Sequence, residues 1–244
     1  MTKYWVNNAR QQGAIGILLR TTRRGPEFLK RANELRDHYH PFEVDPKVPR
    51  EQKNLYMVEW WTGMHKVLDD MNLTRDEVPL MVKDKMPVLR SGLKTWLEAT
   101  ASKDIPVLVF SAGVGDVIDE VLIQSNLHTP NIHIISNWMD FGTDTSQSAR
   151  LLGFKPPLIH VFNKSEATLP EHTNTRPNVI LLGDSLGDVE MVQERDSYCV
   201  LRIGYLNHDV DKLLPYYRDI YDVVLTGDVG FEEWVNDLIS EACF

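Results

Sequence analysis

The sequence predicts an α/β protein, a helical unit followed by a parallel sheet. Two observations carry this. From about Pro26 to Lys85, apolar side chains recur at helical spacing and no convincing strand appears. From Ile105 onward, short apolar runs take over, separated by helical or loop segments. These runs do not alternate polar with apolar, so they read as strands buried on both faces. Strands interleaved with helices imply a parallel sheet with right-handed crossovers.

Taken in order, TTRRGPEFLKR (Thr21 to Arg31) reads as a solvated helix start. The helix it opens puts Phe28, Ala32, Leu35 and Tyr39 on one face. The next repeats that spacing with Val67 and either Leu55, Val58 and Trp61 or Met57 and Trp60. Ser91 to Ala101 is a further helix. IPVLVF (Ile105 to Phe110) is a strand, SAGVG a small-residue turn, and DVIDEVLIQSN an amphipathic helix. NIHIIS, LIHVF, NVILL, YCVLRIG and YDVVL are the later strands. Cys199 falls in an apolar run and is expected to be buried. Asp209 to Asp211 reads as a surface helix start, and GFEEWVNDLISEA (Gly230 to Ala242) as a closing helix.

The chain has 244 residues, 43% of them apolar, enough for one large domain or a core with a smaller unit. Its formal net charge is −9 and it has no long Lys/Arg run, which argues against a nucleic-acid polymer as partner. Two cysteines make no disulfide framework. AIGILL (Ala14 to Leu19) is too short to span a membrane. The expectation is a soluble cytoplasmic monomer with no membrane partner.

In an open parallel sheet, ligands bind at the carboxyl ends of the strands. Three such ends carry polar groups: Ser111-Ala112-Gly113, Asn163-Lys164, and Gly183-Asp184-Ser185 with Gly187-Asp188. Small residues after a strand expose N–H groups that cradle phosphate oxygens, and Ser111 adds a hydroxyl. Lys164 supplies positive charge for the same anion. Asp184 is the hard oxygen ligand that Mg²⁺ prefers. Asp188 points back to the same place if a helix starts near Ser185, where it would pair with Lys164 or hold a metal-bound water. Each piece alone is ordinary; the conjunction at successive strand ends is not.

SAG, FNK and GDSLGD resemble the second, third and fourth motifs of the haloacid dehalogenase-like hydrolases. FEVDP, YMVEWWT, VFSAGVGDVIDEV, ISNWMDF, LIHVFNK, NVILLGDSLGDVEM and IGYLN resemble, more closely, the cytosolic pyrimidine 5′-nucleotidase family, which includes 7-methylguanosine-phosphate-specific members. The resemblance runs from about Gly25 to Leu238. It implies a parallel-sheet haloacid dehalogenase-like core with a helical cap: an atypical segment at 1–24, the cap at 25–88 and the α/β core at 89–244. It implies Mg²⁺-dependent hydrolysis of a nucleoside 5′-monophosphate, CMP, UMP or 7-methyl-GMP, to nucleoside and phosphate. Carried over by motif, Ser111 and Ala112 bind phosphate, Lys164 neutralises it, Asp184 ligates Mg²⁺, and Asp188 supports Lys164 and the metal. Glu43 matches the cap glutamate that reads the base, and Trp60 and Trp61 fall where aromatics stack on it. A carboxylate accepts from an exocyclic amine, and an acceptor left unpaired rejects a base without that donor. Met64 departs from the family's small polar residue.

The family also implies a first motif, Asp-x-Asp-x-Thr, whose aspartates attack phosphorus and act as acid and base. The first thirty residues contain no aspartate, and the DVD at Asp209 to Asp211 has no strand before it and no Thr after it. No catalytic aspartate pair is therefore assigned. Two accounts compete: an incomplete, alternatively spliced or mispredicted form of an active nucleotidase, or a catalytically inactive nucleotide-binding or regulatory paralogue. AIGILL has the apolar character of the missing first strand. If it takes that place, Arg20 stands where the nucleophile should be.

Overall fold

The computed structural model describes residues 14–20, 25–45, 47–163, 178–192, 199–227, 229, 230 and 237. The helical part holds α1 (Ala14–Leu19), α2 (Pro26–Val44), α3 (Arg50–Asp69) and α4 (Glu77–Asp84). Pro26 opens α2, where its missing N–H costs nothing. Along α3, Met57, Met64, Val67 and Leu68 are buried while Leu55 and Val58 are exposed, so the stripe through Met57 and Trp60 faces inward. α2 and α3 pack against each other.

The sheet part runs α5 (Leu93–Ser102), β1 (Val107–Val114), α6 (Gly115–Gln124), β2 (Ile132–Asn137), β5 (Asn178–Gly183), β6 (Cys199–Leu206), α7 (Val210–Ile220) and β7 (Val223–Thr226). Between β2 and β5 lies a short antiparallel pair, β3 (Met139–Asp140) with β4 (Gly153–Phe154). β1 pairs with β2, and β5, β6 and β7 lie side by side, every one of these ladders parallel. Among the described residues no ladder joins β1 to β5. Their side chains still share a core: Val107 and Val109 of β1 cluster with Leu182 of β5 and with Ile203 and Tyr205 of β6.

Several expectations are corrected. AIGILL is a helix, not the first strand. Ala14, Ile17, Leu18 and Leu19 are buried in one cluster with Met64, Val67 and Leu68 of α3 and with Val114, Val117 and Val121 of β1 and α6. A six-residue apolar run suits either period, and burial on most sides between two layers suits a helix. SAG is not a turn after β1. It lies within the strand, in the stretch where the β1–β2 register is irregular between Phe110 and Val114. LIHVF forms no strand; Leu158 to Phe162 is irregular backbone tied down by side chains. Asp188 opens a 3₁₀ turn (Asp188–Met191) instead of sitting inside a helix begun at Ser185. Cys199 is exposed because it begins β6. The closing helix at 230–242 lies outside the described residues except Gly230 and Asp237. Among the described residues, no helix is long and apolar enough to cross a membrane.

Candidate active site

One cavity of about 760 Å³ lies where the helical part meets the strand ends. From the strand ends it is lined by Ser111, Ala112, Gly113, Asp184 and Ser185, and from α2 and α3 by Glu43, Trp60 and Trp61. Met64 lines it as well. Lys164 lies outside the described residues. Asp188 sits behind the wall, fully buried.

The Ser111–Gly113 segment is fixed from two sides. Ser111 Oγ accepts the Gly113 N–H at 3.0 Å, and Ser136 Oγ donates to the Gly113 carbonyl at 2.8 Å. Asn137, the fully buried last residue of β2, donates to the carbonyls of Ala112 and Ile159, both at 2.8 Å. Its Oδ1 accepts the Ile159 N–H at 2.9 Å. It thereby joins the end of β1 to the segment that runs into Asn163. Asn163 closes that segment on itself, accepting the His160 N–H and donating to the Leu158 carbonyl.

The Asp184 loop is held at every backbone polar group of two residues. Asp188 Oδ2 accepts the N–H groups of Asp184 and Ser185 at 2.9 and 3.0 Å. The carbonyls of the same two residues accept the hydroxyls of Tyr217 and Tyr221 at 2.7 and 2.6 Å. Tyr217 lies in the last turn of α7 and Tyr221 directly follows that helix, their rings 5.3 Å apart. Burial, then the charge of Asp188, pushes the Tyr221 hydroxyl far above its ordinary range, so it stays a donor. Gly187 is needed for close approach: a Cβ there would meet Val161 Cγ1 at 2.9 Å and its carbonyl at 3.0 Å. The Ser185 hydroxyl is buried without a partner among the described residues.

At the helical side, Glu43 lies in the last turn of α2. Buried Lys53 of α3 donates to its carbonyl at 2.9 Å and lies 5.3 Å from the centre of the Phe162 ring. Burial pushes the Lys53 ammonium down, opposed by the charges of Glu43 and Asp45. Trp60 and Trp61 stack on each other at 6.2 Å, and Tyr39 stacks on Trp60 at 6.3 Å. Arg50 pairs with Glu190, donates to the Phe162 carbonyl and covers the Phe162 ring at 4.6 Å. It straps the start of α3 to the turn after Asp188.

At the strand ends the described donor for a magnesium ion is Asp184 alone. Glu43 and Asp184 are the carboxylates of the described cavity wall, and they come from opposite parts of the fold. Among the described residues no three His, Cys, Asp or Glu side chains gather as ligands. An ion at Asp184 would complete its shell from water and the substrate's phosphate.

Sequence reasoning singled out neither Asn137, Tyr217, Tyr221 nor Lys53. Asn137 carried a usable signal, a polar residue closing an apolar run, as at the other strand ends. Tyr217 and Tyr221 sit four apart, which marks a shared helix face but not what that face touches.

The sequence matches the profile of the pyrimidine 5′-nucleotidase (UMPH-1) family over residues 1–243, taking in the N-terminal segment that the motif reading left out. The 7-methylguanosine phosphate-specific 5′-nucleotidase of Homo sapiens is 35% identical over 246 residues, covering 98% of this chain and 80% of that protein. The enzyme of the same name from Gallus gallus is 38% identical over 205 residues, covering 82% of this chain and 70% of that one. The crystal structure of cytosolic 5′-nucleotidase IIIB bound to cytidine superposes with a TM-score of 0.82 at 29% identity, covering 97% of this chain and 83% of that chain. A phosphoserine phosphohydrolase-like protein from Francisella tularensis shares the fold alone, with a TM-score of 0.53 at 15% identity. With an α/β haloacid dehalogenase-like core, a helical cap and a cavity between them, the chain belongs to the pyrimidine 5′-nucleotidase family of phosphoric monoester hydrolases.

Proposed function

We propose that this chain recognises nucleoside 5′-monophosphates in this cavity and hydrolyses them more slowly than its relatives do. The observation that carries the reading is the shared cavity: Ser111–Gly113 and Asp184 line it together with Glu43, Trp60 and Trp61. Ser111 and the adjoining backbone receive the phosphate, with Lys164 as its counter-charge. Trp60 and Trp61 supply aromatic faces for a base. Glu43 accepts from an exocyclic amine, which favours CMP and 7-methyl-GMP over UMP. The names of the human enzyme and of the cytidine-bound structure point to the same two bases. The relative's name also supports a cytosolic setting; a monomer without nucleic-acid polymer or membrane partners completes the proposal.

Hydrolysis in the family supplies a carboxylate nucleophile and draws on magnesium to offset phosphate charge. Here Asp184 is the one described carboxylate at the strand ends of the cavity, with Asp188 holding its loop. The stretch of α1 that lines the cavity brings none. Loss of a nucleophile lowers turnover by roughly 10⁶-fold in a well-studied case. That same stretch of α1 favours the second reading, a nucleotide-binding protein without turnover.

The test is phosphate release from CMP and 7-methyl-GMP, with Mg²⁺ and with EDTA, beside a Lys164→Ala, Asp184→Ala double mutant. Slow metal-dependent release that the double mutant lacks is the expected result. Release equal to the double mutant, with CMP still bound, leaves the second reading. Failure of the folded chain to bind CMP or cytidine at all removes both.

A further inference from the structure

We propose that Arg20 is a phosphate ligand of this cavity, and that nucleotide binding by this chain therefore needs no metal ion. The inference rests on the nucleotide-binding reading above and adds to Lys164 a second positive group for the anion. Three observations lead to it.

The first is placement. α1 and the residue that follows it turn Ala14, Ile15, Gly16, Leu19 and Arg20 to the cavity, while Ile17 and Leu18 are buried in the core. That division follows helical periodicity. α1 is also seated on the phosphate segment: a Cβ placed on Gly113 would lie 3.2 Å from that of Ala14. Arg20 follows six residues later, about 9 Å along the axis, with its N–H bonded to the Gly16 carbonyl at 3.1 Å. Its backbone is thus fixed at the end of α1, with a long side chain at the cavity wall.

The second is charge. A phosphate monoester is close to a dianion near neutrality. Asp184, at the phosphate end, repels it unless a cation stands between them. The described carboxylates do not gather a metal to do so. Among the described residues two arginines, Arg20 and Arg36, line the cavity and can supply that charge. Arg36 is engaged by Asp37 through Nε at 3.0 Å and Nη2 at 2.7 Å. No described carboxylate pairs with Arg20. A chain of net charge −9 that keeps a guanidinium in this wall does not do so through general basicity.

The third is chemistry. A guanidinium presents a planar fork of donors that matches two phosphate oxygens at once, and it holds its charge at any working pH. It neutralises the ground-state dianion without activating water or supplying a nucleophile. A site built this way retains its nucleotide.

The experiment is calorimetric titration of the full chain and of Arg20→Gln with CMP, cytidine and inorganic phosphate, in Mg²⁺ and in EDTA. Arg20→Lys, which keeps the charge but not the fork, is run beside them, and circular dichroism checks each fold. For the parent chain, CMP affinity is expected to be the same in both buffers. In Arg20→Gln, CMP and phosphate weaken about tenfold or more, cytidine is unchanged, and Arg20→Lys falls between. CMP binding that disappears in EDTA overturns the proposal, as does Arg20→Gln binding CMP as tightly as the parent. In both of those cases cytidine binding preserves the nucleotide-site reading. A parent chain that binds neither CMP nor cytidine removes that reading and this inference together.

Discussion

Asp188 accepts the backbone N–H of Asp184 at 2.9 Å from a fully buried side chain. The two aspartates of GDSLGD therefore have different work: one lines the cavity, the other shapes the loop that presents it. Truncating Asp188 to Ala leaves the N–H groups of Asp184 and Ser185 buried and unmet. The expected cost is about 2–4 kcal/mol, read from urea unfolding, with Asp188→Asn milder because its amide oxygen still accepts. An Asp188→Ala midpoint equal to the parent's contradicts this account of the loop.

Tyr217 of α7 and Tyr221, the residue that follows this helix, complete the same clamp. Tyr217→Phe and Tyr221→Phe are each expected to lose about 1 kcal/mol and to weaken CMP more than cytidine. The raised Tyr221 hydroxyl stabilises the fold fully below the ordinary tyrosine range near pH 10 and loses that contribution as pH rises above it. Ultraviolet titration should show Tyr221 silent until alkaline unfolding. Ionisation of every tyrosine in the folded chain counts against its burial.

Two histidines set the acid limb. Burial pushes His65 down to about 4, and burial, then the charge of Arg50, does the same to His160. The unfolded chain takes up these protons near pH 6.5 and the folded chain does not. Stability is therefore complete above about pH 6.5 and declines as pH falls toward 4. His65 stacks on Phe154 at 3.8 Å, and its Nε2 has no partner among the described residues. His65→Phe should keep the stack and flatten the pH dependence of Tm. An unchanged acid limb removes His65 from the explanation.

Lys53 tests the base end. Its ammonium reaches the Glu43 carbonyl at 2.9 Å, so it fixes the turn that presents the carboxylate. Lys53→Met removes the bond and the buried charge together, with little expected change in stability. CMP affinity should fall about tenfold, the equivalent of one charge-assisted hydrogen bond, and the preference for CMP over UMP should narrow. Inorganic phosphate binding should stay the same. Equal losses for phosphate and CMP mean a general disturbance instead of a displaced Glu43.

Much of this was readable before folding. The strands β1, β2, β5, β6 and β7 followed from non-alternating apolar runs, and the helices from 3.6-residue spacing. Motif resemblance brought Glu43, Trp60, Trp61, Ser111, Ala112 and Asp184 to notice, and all six line the cavity. Short segments were less legible. LIHVF has a strand's composition, but Leu158 to Asn163 spends its backbone groups on Asn137, His160 and Asn163. AIGILL satisfies both periods, and only its neighbours settle the matter.

By itself the sequence determined the α/β class, the helical unit ahead of the sheet, the family and the residue types at the strand ends. These depend on local periodicity and on motifs that a linear chain displays in full. The tertiary structure alone decided that AIGILL is a helix between the two layers, that Arg20 reaches the cavity wall, and that Asn137, Tyr217 and Tyr221 hold the phosphate end. Those outcomes depend on which surfaces meet. A run of six apolar residues, or a tyrosine every fourth position, acquires its role only from the groups that distant segments bring against it.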